Sequence, residues 1–265
     1  MEKLLTTLGL ITLMVISTTA QEKKILSDGF VFSFHSDILN ETKDVYLSVP
    51  ENHKKDPDNK YPVVFLTEAE FVFKPFSSII RTMGQFNEIP KCIVVGLPLN
   101  NKHLDYAPIL KDVPESGHAE KILKFISQEL FVHLDSVFGI DYDQTVLWAH
   151  SGIGGLFGLN TLLSADTTFN GFIVSSPNFK FAADYLNANE PFEYLKQRKN
   201  VTLYLTCGSK EYSKYQPSFD SFSTKLNKEA MANLRWKVQI NNGRNHHTSA
   251  YAGLIDGLIF YFNEE

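Results

Sequence analysis

The sequence predicts an α/β fold: a mostly parallel central sheet with an antiparallel N-terminal hairpin and helices on both faces. Three observations carry this expectation. Beyond residue 60, short β-branched and aromatic runs recur, each bounded by polar or turn-forming residues. Helical patterns lie between them, and strand, helix and strand in succession build a parallel sheet through right-handed crossovers. Before residue 60, two alternating segments, near 29–35 and 44–49, read as an antiparallel pair.

The first twenty residues read as an address rather than as structure. Lys3 precedes an apolar run over 4–16, and Ser17, Thr18, Thr19 and Ala20 follow, the layout of a cleavable secretory signal. The run is too short for the roughly 20 residues of a membrane span, so no stable membrane insertion is expected after cleavage. The expectation is a signal peptide over 1–20, a single domain over 21–265, and a periplasmic or secreted protein.

Within the domain, parallel strands are expected at 62–66, 92–96, 145–149, 171–174, 201–206 and 236–240. The clearest helix runs over 117–134, where Ile122, Phe125, Ile126, Leu130 and Leu134 share one face. The last helix repeats the stripe in Leu254, Ile255, Leu258, Ile259 and Phe262. Phe71, Phe73 and Phe76 follow the strand at 62–66 and fit either an acyl pocket or core; three phenylalanines so close together are more often core.

Composition narrows the chemistry. A net charge of −5 and a pI near 5.9, with no basic run, argue against a nucleic-acid partner and for a small-molecule substrate. Cys92 and Cys207 each sit in an apolar, strand-like run and read as two buried free thiols, although an exported chain also permits their pairing.

Ligands of such a sheet gather at the carboxyl ends of its strands. After the strand at 145–149 comes His150-Ser151-Gly152-Ile153-Gly154-Gly155 and then a helical run. A serine on a sharp strand-to-helix turn flanked by small residues is the nucleophile-elbow arrangement, and the N–H of Gly152 is placed to meet an oxyanion. The strand at 201–206 is followed by a glycine turn and Glu211, and the strand at 236–240 by Asn245-His246-His247. Serine, acid and histidine after separate strands follow the chain order of the α/β-hydrolase triad. Each has a plainer reading: Glu211 as a solvated loop carboxylate, or the double histidine as a metal site. No Cys or carboxylate at ligand spacing surrounds those histidines, so no metal is expected. Asp105 is a second candidate acid, but it follows the wrong strand. Ser176 and Ser209 sit at strand ends without a glycine-rich helix start behind them.

These residues resemble the putative-esterase family of α/β-hydrolases that includes enterobactin-esterase-like and esterase-D-like proteins. Tyr61-Pro62-Val63-Val64-Phe65-Leu66 is similar to the family's YPVLYLL strand, and Ile89-Pro90 through Gly96 to its IPxxIVVGI run. Asp105 with Pro108 resembles RDxTP, and Phe125, Glu129 and Leu130 fall in place in a helix written GGAxxFLxFIxxEL. Gly154-Gly155-Leu156-Phe157 fits the end of GHSxGGLF, Ser176-Pro177 a later Ser-Pro, Gly208 with Glu211 the GxxE, and Asn245-His246 through Gly257-Leu258 the NHxS to GL ending. The resemblance implies ester hydrolysis by a Ser, Glu/Asp and His set without metal or organic cofactor.

The chain also departs from the family pattern. Read forward from the strand, His150-Ser151 matches the family's His-Ser with one residue inserted afterwards; read backward from Gly154-Gly155, the nucleophile position holds Gly152. The forward register is preferred because the short Ala149 suits the position two before a nucleophile, and bulky Ile153 then implies a bulged turn. The family's LLDG becomes Leu66-Thr67-Glu68-Ala69, losing a glycine, so the second oxyanion N–H is expected from Ala69 or Glu70. Leu104 replaces an arginine beside Asp105. His246 has the family spacing to Gly257, whereas His247 has Ser249 two residues on. The expected set is Ser151, His246 and Glu211, with backbone donors Gly152 and Ala69 or Glu70. The rival is a catalytically degenerate hydrolase fold that binds a ligand or protein; a sugar-binding module is weaker, since those are usually all-β.

Overall fold

The computed structural model describes residues 29–51, 53, 59–98, 105–110, 114–177, 190–228 and 233–263. The segment expected to be a signal, 1–20, lies outside the described residues, as does Leu104.

Among the described residues, eight strands form one sheet in the order β1-β2-β4-β3-β5-β6-β7-β8. β1 (Phe30–Ser36) and β2 (Glu41–Ser48) are the antiparallel hairpin, with Phe30 opposite Leu47 and Ser36 opposite Glu41. β2 runs antiparallel to β4 (Ile93–Gly96), and every later pairing, through β3 (Tyr61–Leu66), β5 (Ile140–His150), β6 (Gly171–Ser175), β7 (Val201–Gly208) and β8 (Leu234–Asn241), is parallel. β3, β4, β6 and β7 are buried at each position, which is why they read as unbroken apolar runs rather than alternations. This is the architecture the sequence predicts.

Alternate residues of the strands build two cores. On one face Val63, Phe65, Leu147, Phe172 and Leu203 meet α2 (Ala119–Phe125), α3 (Phe131–Phe138), α4 (Gly152–Leu162), α5 (Glu190–Gln197) and α6 (Ser209–Lys228). On the other, Val64, Leu66, Trp148, Ile173 and Tyr204 meet α1 (Ala69–Gln85) and α7 (His246–Phe262). Phe73 and Phe76 belong to this second core, as the commoner reading expects, whereas Phe71 is 69% exposed.

The helix expected over 117–134 begins at Ala119, and a π-helical turn, Ile126–Leu130, separates α2 from α3. That turn aims Glu129 at the hairpin, where its carboxylate accepts from Ser36 Oγ and from the N–H groups of Asp37 and Ile38. α6 was not anticipated: Ser209 opens a helix in which Pro217 is interior. Cys92 lies in the second core and Cys207 in the first, both as free thiols.

Candidate active site

The parallel strands end at one edge of the sheet, and three of the turns that follow bring polar side chains together there. β5 stops at His150 and α4 begins at Gly152, so Ser151 alone makes the turn, at φ 66° and ψ −165°. A non-glycine residue holds such a backbone only when its surroundings fix it. Here the Ser151 N–H donates to the Ser175 carbonyl at 3.0 Å, and the Ser151 carbonyl accepts from Gly155 N–H at 2.9 Å. The glycines explain how α4 fits so closely: a Cβ at Gly155 would lie 2.7 Å from Pro177 Cα, and one at Gly158 2.6 Å from Ala149 Cβ. The latter contact is the physical reason for a short residue at 149. The bulge expected from Ile153 does not form, because α4 is regular from its first residue and Ile153 packs, partly buried, against the first core.

Glu211 sits in the first turn of α6 rather than in a solvated loop. Its Oε1 accepts from Ser176 Oγ at 2.5 Å and from Gly208 N–H at 3.0 Å, and its Oε2 lies 2.8 Å from His246 Nδ1. Burial pushes its carboxyl upward, but the hydrogen bonds from His246, Ser176 and Gly208 outweigh that and hold it below the usual carboxylate range. Ser176, read from the sequence as a bystander, therefore touches the acid; its place in a Ser-Pro pair was the available signal.

His246 is the first residue of α7, whose start is fixed by a capping box between Asn245 and Thr248. Its Nε2 is 3.1 Å from Ser151 Oγ. His247 is exposed and meets His246 edge-on, with ring centroids 5.3 Å apart. Asp105 faces Lys43 Nζ at 3.4 Å and His118 at 4.0 Å instead of the His246 ring, and Ser209 Oγ accepts from Gly243 N–H.

The expected backbone donors sit at two helix starts. Gly152 heads α4, and Ala69 and Glu70 open α1, where first-turn N–H groups lack intrahelical acceptors. The turn before α1 packs on the elbow, since a Cβ at Gly154 would come 3.1 Å from Thr67 Oγ1. Its left-handed residue is Glu68, at φ 54°, so the family glycine replaced by Ala69 was not needed for backbone strain at that position. Sequence reasoning also missed a contact beneath the serine, where Glu68 pairs with His150 at 3.2 Å. Among the described residues no group of three or more His, Cys, Asp or Glu is arranged to hold a metal ion.

A mostly parallel sheet with a strained serine turn after its central strand defines the α/β-hydrolase class. A family model described as putative esterase matches residues 36–253, and the chain belongs to that family, among the carboxylic ester hydrolases. The ferri-bacillibactin esterase BesA of Bacillus subtilis (strain 168) is 25% identical over 201 residues, 68% of each chain. The BES protein from Bacillus cereus superposes with a TM-score of 0.78 at 23% identity, over 94% of this chain and 100% of that one. An IroE-like serine hydrolase from Shewanella oneidensis gives 0.76 at 24% identity, over 88% and 80%.

Proposed function

We propose that this protein is an exported serine esterase whose nucleophile is Ser151, whose general base is His246 and whose orienting acid is Glu211. The observation that carries the reading is the unbroken chain Ser151 Oγ to His246 Nε2, 3.1 Å, and His246 Nδ1 to Glu211, 2.8 Å. Ser151 Oγ attacks the ester carbonyl carbon while His246 Nε2 takes its proton. Gly152 N–H and one N–H from Ala69 or Glu70 hold the oxyanion that forms. The intermediate collapses as His246 returns the proton to the leaving alcohol, leaving an acyl group on Ser151. A water, deprotonated by the same imidazole, then attacks the acyl carbon; the bond to Ser151 Oγ breaks as His246 returns the proton to that oxygen, and the acid leaves. Glu211 stays ionised throughout, fixing the tautomer and balancing the imidazolium. No metal or organic cofactor enters the scheme.

The name of the ferri-bacillibactin esterase BesA supports ferri-bacillibactin as the first substrate to try. Ser151→Ala is expected to abolish both turnover of that substrate and labelling by a fluorophosphonate, each measured beside the parent protein. Undiminished turnover in the variant removes Ser151 from the mechanism. A parent protein that neither labels nor turns over a short activated ester would favour the binding-only alternative. For export, the mature chain is expected to begin at Gln21, which N-terminal sequencing of secreted protein checks.

A further inference from the structure

Beneath the serine lies a second carboxylate–imidazole pair that the mechanism leaves unused. His150, the last residue of β5, is 5% exposed, and Glu68, in the turn before α1, is 9% exposed. Glu68 Oε2 is 3.2 Å from His150 Nδ1, and His150 Nε2 is 3.3 Å from the main-chain carbonyl oxygen of His246. The two imidazole rings are 4.6 Å apart between centroids, and Trp148 stacks on His150 at 5.6 Å. Each nitrogen of the His150 ring thus faces an oxygen, one a side-chain carboxylate and the other a main-chain carbonyl.

Glycine takes a left-handed backbone without strain, yet Glu68 holds φ 54°. What its side chain grips accounts for a glutamate there. His246, for its part, is the first residue of α7, and the capping box that fixes this helix start runs between Asn245 and Thr248 without touching the His246 ring. Its ring is held from one side by Glu211, and its main chain is held from below by His150.

The geometry points to Glu68 and His150 as positioning residues for ester hydrolysis. His150 fixes the main chain of His246, and so sets the imidazole against Ser151; Glu68 ties that grip to the turn from which α1 presents its N–H groups. The pair joins the oxyanion side of the site to the base side through one buried link. This inference rests on the serine–histidine–glutamate reading above.

The test uses the full exported chain with His150→Leu, His150→Gln and Glu68→Gln, each checked for folding by circular dichroism. Displacing a reacting group by about 1 Å costs about 100-fold, so His150→Leu is expected to lower kcat by about 10- to 100-fold. KM should stay within about twofold, because the pair touches no substrate. His150→Gln, whose amide can still donate to the His246 carbonyl, should recover part of the loss. In proton NMR, the downfield N–H resonance of His246 that reports its bond to Glu211 should shift or broaden in His150→Leu and Glu68→Gln. Folded His150→Gln and Glu68→Gln proteins with parental kcat would overturn the proposal. So would a fall in kcat with that resonance unmoved, the mark of general destabilisation. Should His150→Leu fail to fold, the two glutamine variants decide alone. Failure of the underlying reading is distinct: Ser151→Ala would then keep turnover whatever the His150 variants do.

Discussion

Glu211, the orienting acid of the proposed mechanism, is also a point of stability. Three donors converge on it, from His246, Ser176 Oγ and Gly208 N–H, and together they overcome the burial that would raise its carboxyl. Its folded value is depressed, so the stability it contributes is complete above the unfolded pKa and is lost as the pH falls through the folded one. Ser176→Ala removes one donor and lets the carboxyl rise toward its ordinary range. A hydrogen bond to a charged group is worth about 1.5–3 kcal/mol, so the variant should lose about that much stability at neutral pH. The difference should shrink as the pH drops through the depressed value, because a protonated Glu211 no longer needs the extra donor. Denaturant titrations of both proteins across the acid range check this, and a pH-independent difference would argue that Ser176 acts by packing alone. Turnover should fall by about tenfold, since the freed carboxylate orients His246 less well. Ser151, Glu211 and His246 were legible in the sequence because each follows its own strand, in the chain order the fold demands. Ser176 offered only its Ser-Pro pair, and the Glu68–His150 pair no chain-order pattern at all, so the contacts of Ser176 with Glu211 and of Glu68 with His150 emerge only in the closed sheet.

Elements meet in this site with little room to spare. The turns after β7 and β8 are joined by two hydrogen bonds: Lys210 N–H donates to the Arg244 carbonyl at 3.0 Å, and Gly243 N–H to the Ser209 side-chain Oγ at 2.9 Å. Between them sits Gly208, where a Cβ would lie 2.4 Å from the Arg244 carbonyl oxygen and 2.8 Å from that of Asn245. Both obstacles are backbone, so Gly208→Ala must push the acid turn and the base turn apart. Overpacking of this kind typically costs about 1–3 kcal/mol, which at about 2–4 °C per kcal/mol for a domain of this size lowers Tm by about 2–12 °C. Because the shift separates Glu211 from His246, kcat should fall more steeply than the loss of folded protein explains. Steady-state kinetics at a temperature where the variant is fully folded would expose the excess; unchanged kcat there would show that the two turns move together. The same glycine explains why α6 was hidden. Gly208 and Ser209 read as the start of a loop, and Pro217 inside the segment argues against a helix. Yet Phe219, Phe222 and Leu226 bury against the first core and hold it. The parallel strands needed no such tertiary rescue, since burial on both faces writes them as continuous apolar runs.

At the scale of the molecule, the sheet divides the interior in two and puts one thiol on each side. Cys92 lies among Ile80, Met83 and Val94 under α1, and Cys207 among Leu205, Phe219 and Phe222 under α6. Burial raises both thiols above their ordinary value; Cys207 reaches about 12, with the Glu211 carboxylate adding to the burial. Thiolate, the reactive form, is therefore scarce at neutral pH, and the intervening sheet keeps the two sulfurs from pairing even in an oxidising compartment. A thiol reagent should accordingly label neither cysteine in the native protein and both after unfolding, and a reducing agent should leave Tm unchanged. The strands carry one core on alternate residues and the other on the residues between, so neither core can open without disturbing the ladder that supports its partner. If residues 21–265 form a single cooperative domain, the two cysteines become reactive at one denaturant concentration, which is also where ellipticity and esterase activity are lost. Release of Cys92 ahead of Cys207 would reveal that α1 and α7 peel from the sheet as a separate unit. Activity would then disappear with that first step, because α7 carries His246 and α1 begins at the turn that presents Ala69 and Glu70.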